Sequence, residues 1–136
     1  MGNEAGYNIT TETDNVCIGN QAGYNTTAND NIFIGPNAGK NNTDGTINLY
    51  LGKNAGLNAS GGDNNIAIGQ DAGRDGVDHR GSVLLGYAAG YNIADKNFNI
   101  ALLVWLEGYF TAINSIGASM NFEINDNDIV EGVEYI

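Results

Sequence analysis

Asp126, Asp128 and Glu131 stand near the end of the chain with the spacing of a fragment of a calcium loop. Carboxylates at such intervals can offer several hard oxygens to one cation. The full EF-hand pattern is absent, and so is the nine-residue Gly-Asp repeat of calcium β-rolls. These three residues are therefore weak metal candidates, and the expected state is a solvated acidic tail. His79, the only histidine, lies between Asp78 and Arg80 in a variable turn. It has no second histidine or suitable cysteine beside it and reads as a surface residue. Cys17 is the only cysteine, which excludes an intrachain disulfide and a cysteine-based zinc site. It is expected to pack rather than react. No nucleophile elbow, Walker A loop or dinucleotide fingerprint occurs. The expectation is a protein that is not an enzyme, with no catalytic residues and no cofactor. Sequons at Asn8, Asn25, Asn41 and Asn58 arise because one motif places Thr or Ser two residues after its Asn.

The charge balance bounds the partners. Sixteen acidic and five basic residues give a formal net charge of −11. A nucleic-acid backbone needs clustered Lys and Arg, so no nucleic-acid partner is expected. The longest apolar run, Ile100 to Leu106, is too short for a membrane-spanning helix, and no membrane insertion is expected. The first residues carry no basic or apolar run, so no signal peptide is read there. The chain is 42% apolar yet rich in Gly and Asn, which suits short strands joined by tight turns.

Those turns recur. Ala-Gly stands at 5–6, 22–23, 38–39, 55–56, 72–73 and 89–90, at intervals of 16 or 17 residues. A short apolar strand followed by Gly recurs with it: Val16 to Gly19, Ile32 to Gly35, Leu49 to Gly52, Ile66 to Gly69 and Val83 to Gly86. A sixth copy, Ile100 to Leu103, lacks its glycine. Two residues past each Ala-Gly stands Asn8, Asn25, Asn41, Asn58, Asp75 or Asn92. The consensus is N-h-x-h-G-x-x-A-G-x-N, where h is Val, Ile or Leu. One copy cannot bury its own apolar side chains, whereas stacked copies can. The spacing therefore predicts an all-β parallel β-solenoid, a β-roll of 16–17-residue coils with about two short strands per coil. Its repeat region spans 1–97, about five to six coils. Glycine permits the turns, Ala points into a thin core, and the Asn column should stack as a ladder of amides. Variable segments after the Asn mark surface turns.

Alternation along the strand divides its residues between inside and outside. The h residues are expected in the solenoid core: Val16, Ile18, Ile32, Ile34, Leu49, Leu51, Ile66, Ile68, Val83 and Leu85. The middle column, Cys17, Phe33, Tyr50, Ala67, Leu84 and Ala101, then faces outward. An uncharged stripe of that kind calls for a cover, and identical copies around an axis supply one. This column is the expected homo-oligomer interface; the alternative is a monomeric roll whose apolar face is left open or is covered by a flap of the C-terminal segment. A second column, Tyr7, Tyr24, Lys40, Leu57, Arg74 and Tyr91, forms an edge whose tyrosines are possible surface contacts.

Beyond residue 98 the composition shifts to aromatic and branched residues, and Ile116 to Ile124 alternate as a half-buried strand. Residues 98–136 are expected to form a strand-rich cap and a trimer-locking or attachment region.

The stretches NVCIGNQAGYN, NIFIGPNAGKN and NNIAIGQDAG resemble the IG-x-x-AG repeats of phage tail-fibre and head-fibre proteins. They resemble more distantly the left-handed β-roll heads of trimeric autotransporter (YadA-like) adhesins. The likeness covers residues 3 to about 102. It implies an intertwined homotrimer of parallel β-rolls on a virion, acting as a short fibre, spike or decoration module for attachment. If the protein works outside a cell, the expectation is that it has either lost a leader or leaves by another route, such as phage release at lysis. The implied partners are its own copies, other virion proteins and a host surface glycan or protein. The coil here is longer than in the adhesin heads, which favours the phage-fibre type. The alternatives are a bacterial cell-surface adhesin head and a calcium- or ice-binding solenoid; ice binding would call for a flat outward array of Thr.

Overall fold

In the computed structural model, residues 2–76, 80–92, 100–106 and 109–114 are described, the last two spans as backbone strands. Asp126, Asp128, Glu131, His79 and the expected strand at 116–124 lie outside these residues, as do the side chains of Ala101 and Trp105.

Each three-residue apolar run forms one strand: β1 (Val16–Ile18), β2 (Ile32–Ile34), β3 (Leu49–Leu51), β4 (Ile66–Ile68) and β5 (Val83–Leu85). They pair in parallel and in sequence order, with each residue beside its counterpart one coil on: Cys17, Phe33, Tyr50, Ala67 and Leu84 form one row. β6 (Ile100–Leu106) continues the parallel ladder, and β7 (Tyr109–Asn114) turns back antiparallel onto β6. The result is an all-β solenoid with no helix among the described residues.

The expectation of two strands per coil is corrected. All described strands belong to one sheet, and the return path is built of turns. In the coil after β2, Ala38 N–H bonds Gly35 C=O and Lys40 N–H bonds Asn37 C=O. Asn37 and Gly39 both take the left-handed conformation, with φ of 59° and 57°. Left-handed residues on either side of Ala38 curl the chain too tightly for a second strand. The turns still stack, because Gly23, Gly39, Gly56 and Gly73 each donate to the Ala carbonyl one coil further on.

Two glycine positions are dictated by space. Gly35 has φ 128°, and a Cβ there would sit 2.6 Å from the Gly52 carbonyl oxygen. The post-strand glycines are thus required where one coil lies directly on the next. A Cβ on Gly39 would come within 2.5 Å of the Phe33 ring, so this backbone forms a wall of the interior.

The division between inside and outside is the reverse of the expectation. Phe33, Tyr50, Ala67 and Leu84 are buried, and Cys17 is half-buried against them. Opposite them lie Ala22, Ala38, Ala55, Ala72 and Ala89, all fully buried. Val16, Ile18, Ile32, Ile34, Leu49, Leu51, Ile66, Ile68, Val83 and Leu85, expected as the core, point outward and are exposed or half-buried. The cause is the width of the coil. With turn backbone for its far wall, the interior holds one strand side chain per coil facing one alanine. The residue before the strand also points inward: Asn31, Asn48, Asn65 and Ser82 are buried. Alternation from an inward Asn sends the first h residue out.

Burying that Asn column is tolerable because it is hydrogen-bonded. Asn31 Oδ1 accepts from Asn48 N–H at 2.9 Å, and Asn48 Oδ1 from Asn65 N–H at 2.9 Å. Their amides donate to the turn carbonyls of Gly45 and Gly62. The column carries the axial bonding of the backbone through side chains at the coil's corner.

Candidate interaction surface

The outer face of the sheet carries two rows of aliphatic side chains. One is Val16, Ile32, Leu49, Ile66 and Val83; the other is Ile18, Ile34, Leu51, Ile68 and Leu85. No charged or polar side chain interrupts them. Val16, Ile18, Ile32, Leu51 and Ile66 retain 37–45% of their accessible surface. A continuous uncharged patch of this kind is unusual on the exterior of a lone chain carrying −11.

The row expected at the interface, Cys17, Phe33, Tyr50, Ala67 and Leu84, is unavailable to a partner, because it fills the coil's own interior. Phe33 and Tyr50 stack there at 5.4 Å between ring centroids. Burial pushes the Tyr50 phenol well above its ordinary pKa, against the opposing hydrogen bond to Asn65. Burial likewise raises the Cys17 thiol, which leaves it protonated and a packing group.

A second surface lies on the turn side. Tyr7 and Tyr24 stack face to face at 5.1 Å and 6°. Lys40 sits 6.0 Å from the Tyr24 ring, and Arg74 sits 5.3 Å from the Tyr91 ring. This edge column is a run of aromatic and cationic contacts among its own members. Tyr7 and Tyr91 are exposed and Tyr24 half-buried.

Beside it runs the expected amide ladder. Asn8 Nδ2 donates to Asn25 Oδ1 at 2.9 Å, Asn25 to Asn41 at 2.9 Å, and Asn41 to Asn58 at 2.7 Å. Asn58 donates to the Asp75 carboxylate at 2.6 Å. These are the sequon asparagines, so the nitrogen a glycan would occupy already serves as a ladder donor. A shorter ladder that the sequence reading missed runs from Asn37 to Asn54 to Asp71. Its sign in the sequence is the polar residue preceding each Ala. Arg74 lies between the two carboxylates, 3.4 Å from Asp71 and 3.9 Å from Asp75. Burial alone would raise the Asp71 pKa, but hydrogen bonds from Asn54 and Gln70 and the Arg74 charge outweigh it and hold the carboxyl below its usual range.

No group of three or more metal-ligating side chains occurs among the described residues. Among those residues, no helix is long and apolar enough to cross a membrane. No family model matches the chain, and neither does any curated protein or solved structure at a significant level.

Proposed function

We propose that this chain is a non-enzymatic structural module, a short homotrimeric fibre, spike or decoration element of a virion, which serves attachment. The observation that supports it is the double aliphatic row on the outer sheet face. Full burial of a Val, Leu or Ile side chain contributes about 1.5–3 kcal/mol, so the five row residues left some two-fifths exposed retain several kcal/mol of unused stabilisation per chain between them. The rows form a flat strip with the repeat of the coils, about 4.8 Å per step. Another copy of the same chain carries a strip of matching pitch and no opposing charge. The trimer number and the virion setting rest on the resemblance of the IG-x-x-AG repeats to phage fibres. In such an assembly the turn-side columns face outward three times over, and three weak contacts to a host glycan or protein act together.

The test is the mass of the purified chain in solution, by light scattering over a dilution series. The expected mass is three times the 14.3 kDa of one chain. Ile66→Asp, on the exposed face, should disperse the assembly while leaving the circular dichroism of the coils intact. A wild-type chain that stays monomeric at every concentration would overturn the reading.

A further inference from the structure

Two Asp-Gly steps occur in the chain, Asp44-Gly45 and Asp75-Gly76. At such a step the glycine nitrogen can close a succinimide ring on the aspartate's own carboxyl carbon. No side chain screens that nitrogen, and the two atoms are already tethered. The fold holds the two steps differently. Asp75 accepts from Asn58 Nδ2 at 2.6 Å and lies 3.9 Å from Arg74, and Gly76 N–H donates to Gly73 C=O. Both of its reacting groups are tied down. Asp44 is exposed, and its carboxylate is bonded only by the adjacent Thr43 hydroxyl, at 2.9 Å. Gly45 is buried, yet its N–H donates to no group of the protein, which is rare for a buried backbone donor. The same turn carries a buried acceptor without a protein partner, Asn42 Oδ1. It also carries Ile47 at φ 58°, a conformation that Asp14, Asp30, Asn64 and Gly81 tolerate in the other coils but that is an outlier for a β-branched residue. Unpaired groups and strain lower the free energy of opening this turn relative to the rest of the stack.

We propose that Asp44 is a site of spontaneous isomerisation, at which the main chain reroutes through the aspartate side chain. The Gly45 nitrogen gives its proton to solvent and attacks Asp44 Cγ; the N–Cγ bond forms as a carboxyl oxygen leaves as water. Water then adds to the succinimide. Addition at the Asp44 main-chain carbonyl carbon breaks its bond to nitrogen and leaves Gly45 linked through Cγ, whereas addition at Cγ restores aspartate. No electrons are exchanged, and the product has the mass of the starting chain. The change is felt beyond the turn, because Gly45 is fixed from two sides. Its carbonyl accepts from two buried amides, Asn31 Nδ2 at 2.9 Å and Asn42 Nδ2 at 2.7 Å, and a Cβ at this position would run into the Gly62 carbonyl oxygen. One extra methylene in the main chain displaces that carbonyl and removes a hydrogen bond from each of the two buried amides. Age therefore loosens the coils around Asp44.

The experiment ages the full chain at physiological temperature and reads its peptides by electron-transfer fragmentation, which separates the two linkages at equal mass. Isoaspartate is expected at residue 44 several-fold faster than at residue 75 in the folded chain, and at similar rates in urea, where neither step is held. No isoaspartate at 44, equal rates in the folded chain, or a preference for 44 that persists in urea would each overturn the proposal. The aged wild type should show a lower urea midpoint than the fresh protein. Asp44→Glu keeps the charge but requires a larger, slower ring, and its midpoint should not change with age. Isoaspartate at 44 with an unchanged midpoint would overturn the link to the buried asparagines.

Discussion

Truncating Phe33 to Ala tests the arrangement of the coil directly. Phe33 is fully buried, and its ring is stacked on Tyr50 at 5.4 Å. Removal of a buried aromatic side chain costs about 3–5 kcal/mol, and the lost stacking adds about 0.5–1.5 kcal/mol beyond area. The surroundings cannot collapse into the space. The walls nearest the ring are the backbone of Gly23 and Gly39, which have no side chains to rotate inward. The upper part of the range is therefore expected, about 4–5 kcal/mol. A domain of this size is stable by about 5–15 kcal/mol, so the variant would stand near its unfolding threshold at room temperature. Ile34→Ala is the control. Ile34 is the next residue on the same strand but points outward, so its truncation opens no cavity and should cost less than about 1 kcal/mol in the dispersed chain. Urea denaturation followed by far-ultraviolet circular dichroism, at concentrations where the chains are separate, measures both. A severe loss for Ile34→Ala with a mild one for Phe33→Ala would mean that the two columns are exchanged, and would refute the packing described above.

Two further predictions concern conditions. In the proposed assembly, chains of −11 each would repel one another around an uncharged joint, so added salt should tighten it; an interface held by ion pairs would loosen instead. Sedimentation equilibrium at low and high sodium chloride distinguishes the two. The Asp71 carboxyl has a folded pKa below its unfolded value, so its contribution is present above the ordinary carboxylate pKa and is lost as pH falls through the depressed one. Acid titration of the urea midpoint should show that loss below about pH 4 in wild type, and a smaller one in Asp71→Asn.

The repeat, its strands and its glycines were legible because the backbone demands them. Gly35 has to be glycine where coil touches coil, Ala38 has to be small, and Asn25 has to reach its neighbour, so each residue type carries its own reason in one dimension. The direction of the side chains was not legible by the same means. Ile32, Phe33 and Ile34 are all apolar, and period two alone does not say which member of the alternation is inside. The phase is set by the Asn that precedes each strand, which points inward and sends the first h residue out. Its persistence as Asn15, Asn31, Asn48 and Asn65 was the available sign. A surface turn in this chain varies freely, whereas a buried amide that must accept from the next coil's N–H does not. The second sign was volume: Cys, Phe, Tyr, Ala and Leu vary in size as a packed row does, while the outward rows keep to Val, Ile and Leu. Ile47 was legible only once its φ was known, since its residue type reads simply as part of the next strand.

Both amide ladders run the same way, nitrogen to oxygen toward higher residue numbers, and both close on a carboxylate, Asp75 in one and Asp71 in the other. A carboxylate has no N–H to hand on, so the relay can lengthen below the fourth coil but cannot be passed upward through it. Gene duplication could thus insert extra copies among the early coils and keep every amide satisfied, whereas a copy spliced in above Asp75 would start without a donor beneath it. The length of the rod is open to change at one end and punctuated at the other.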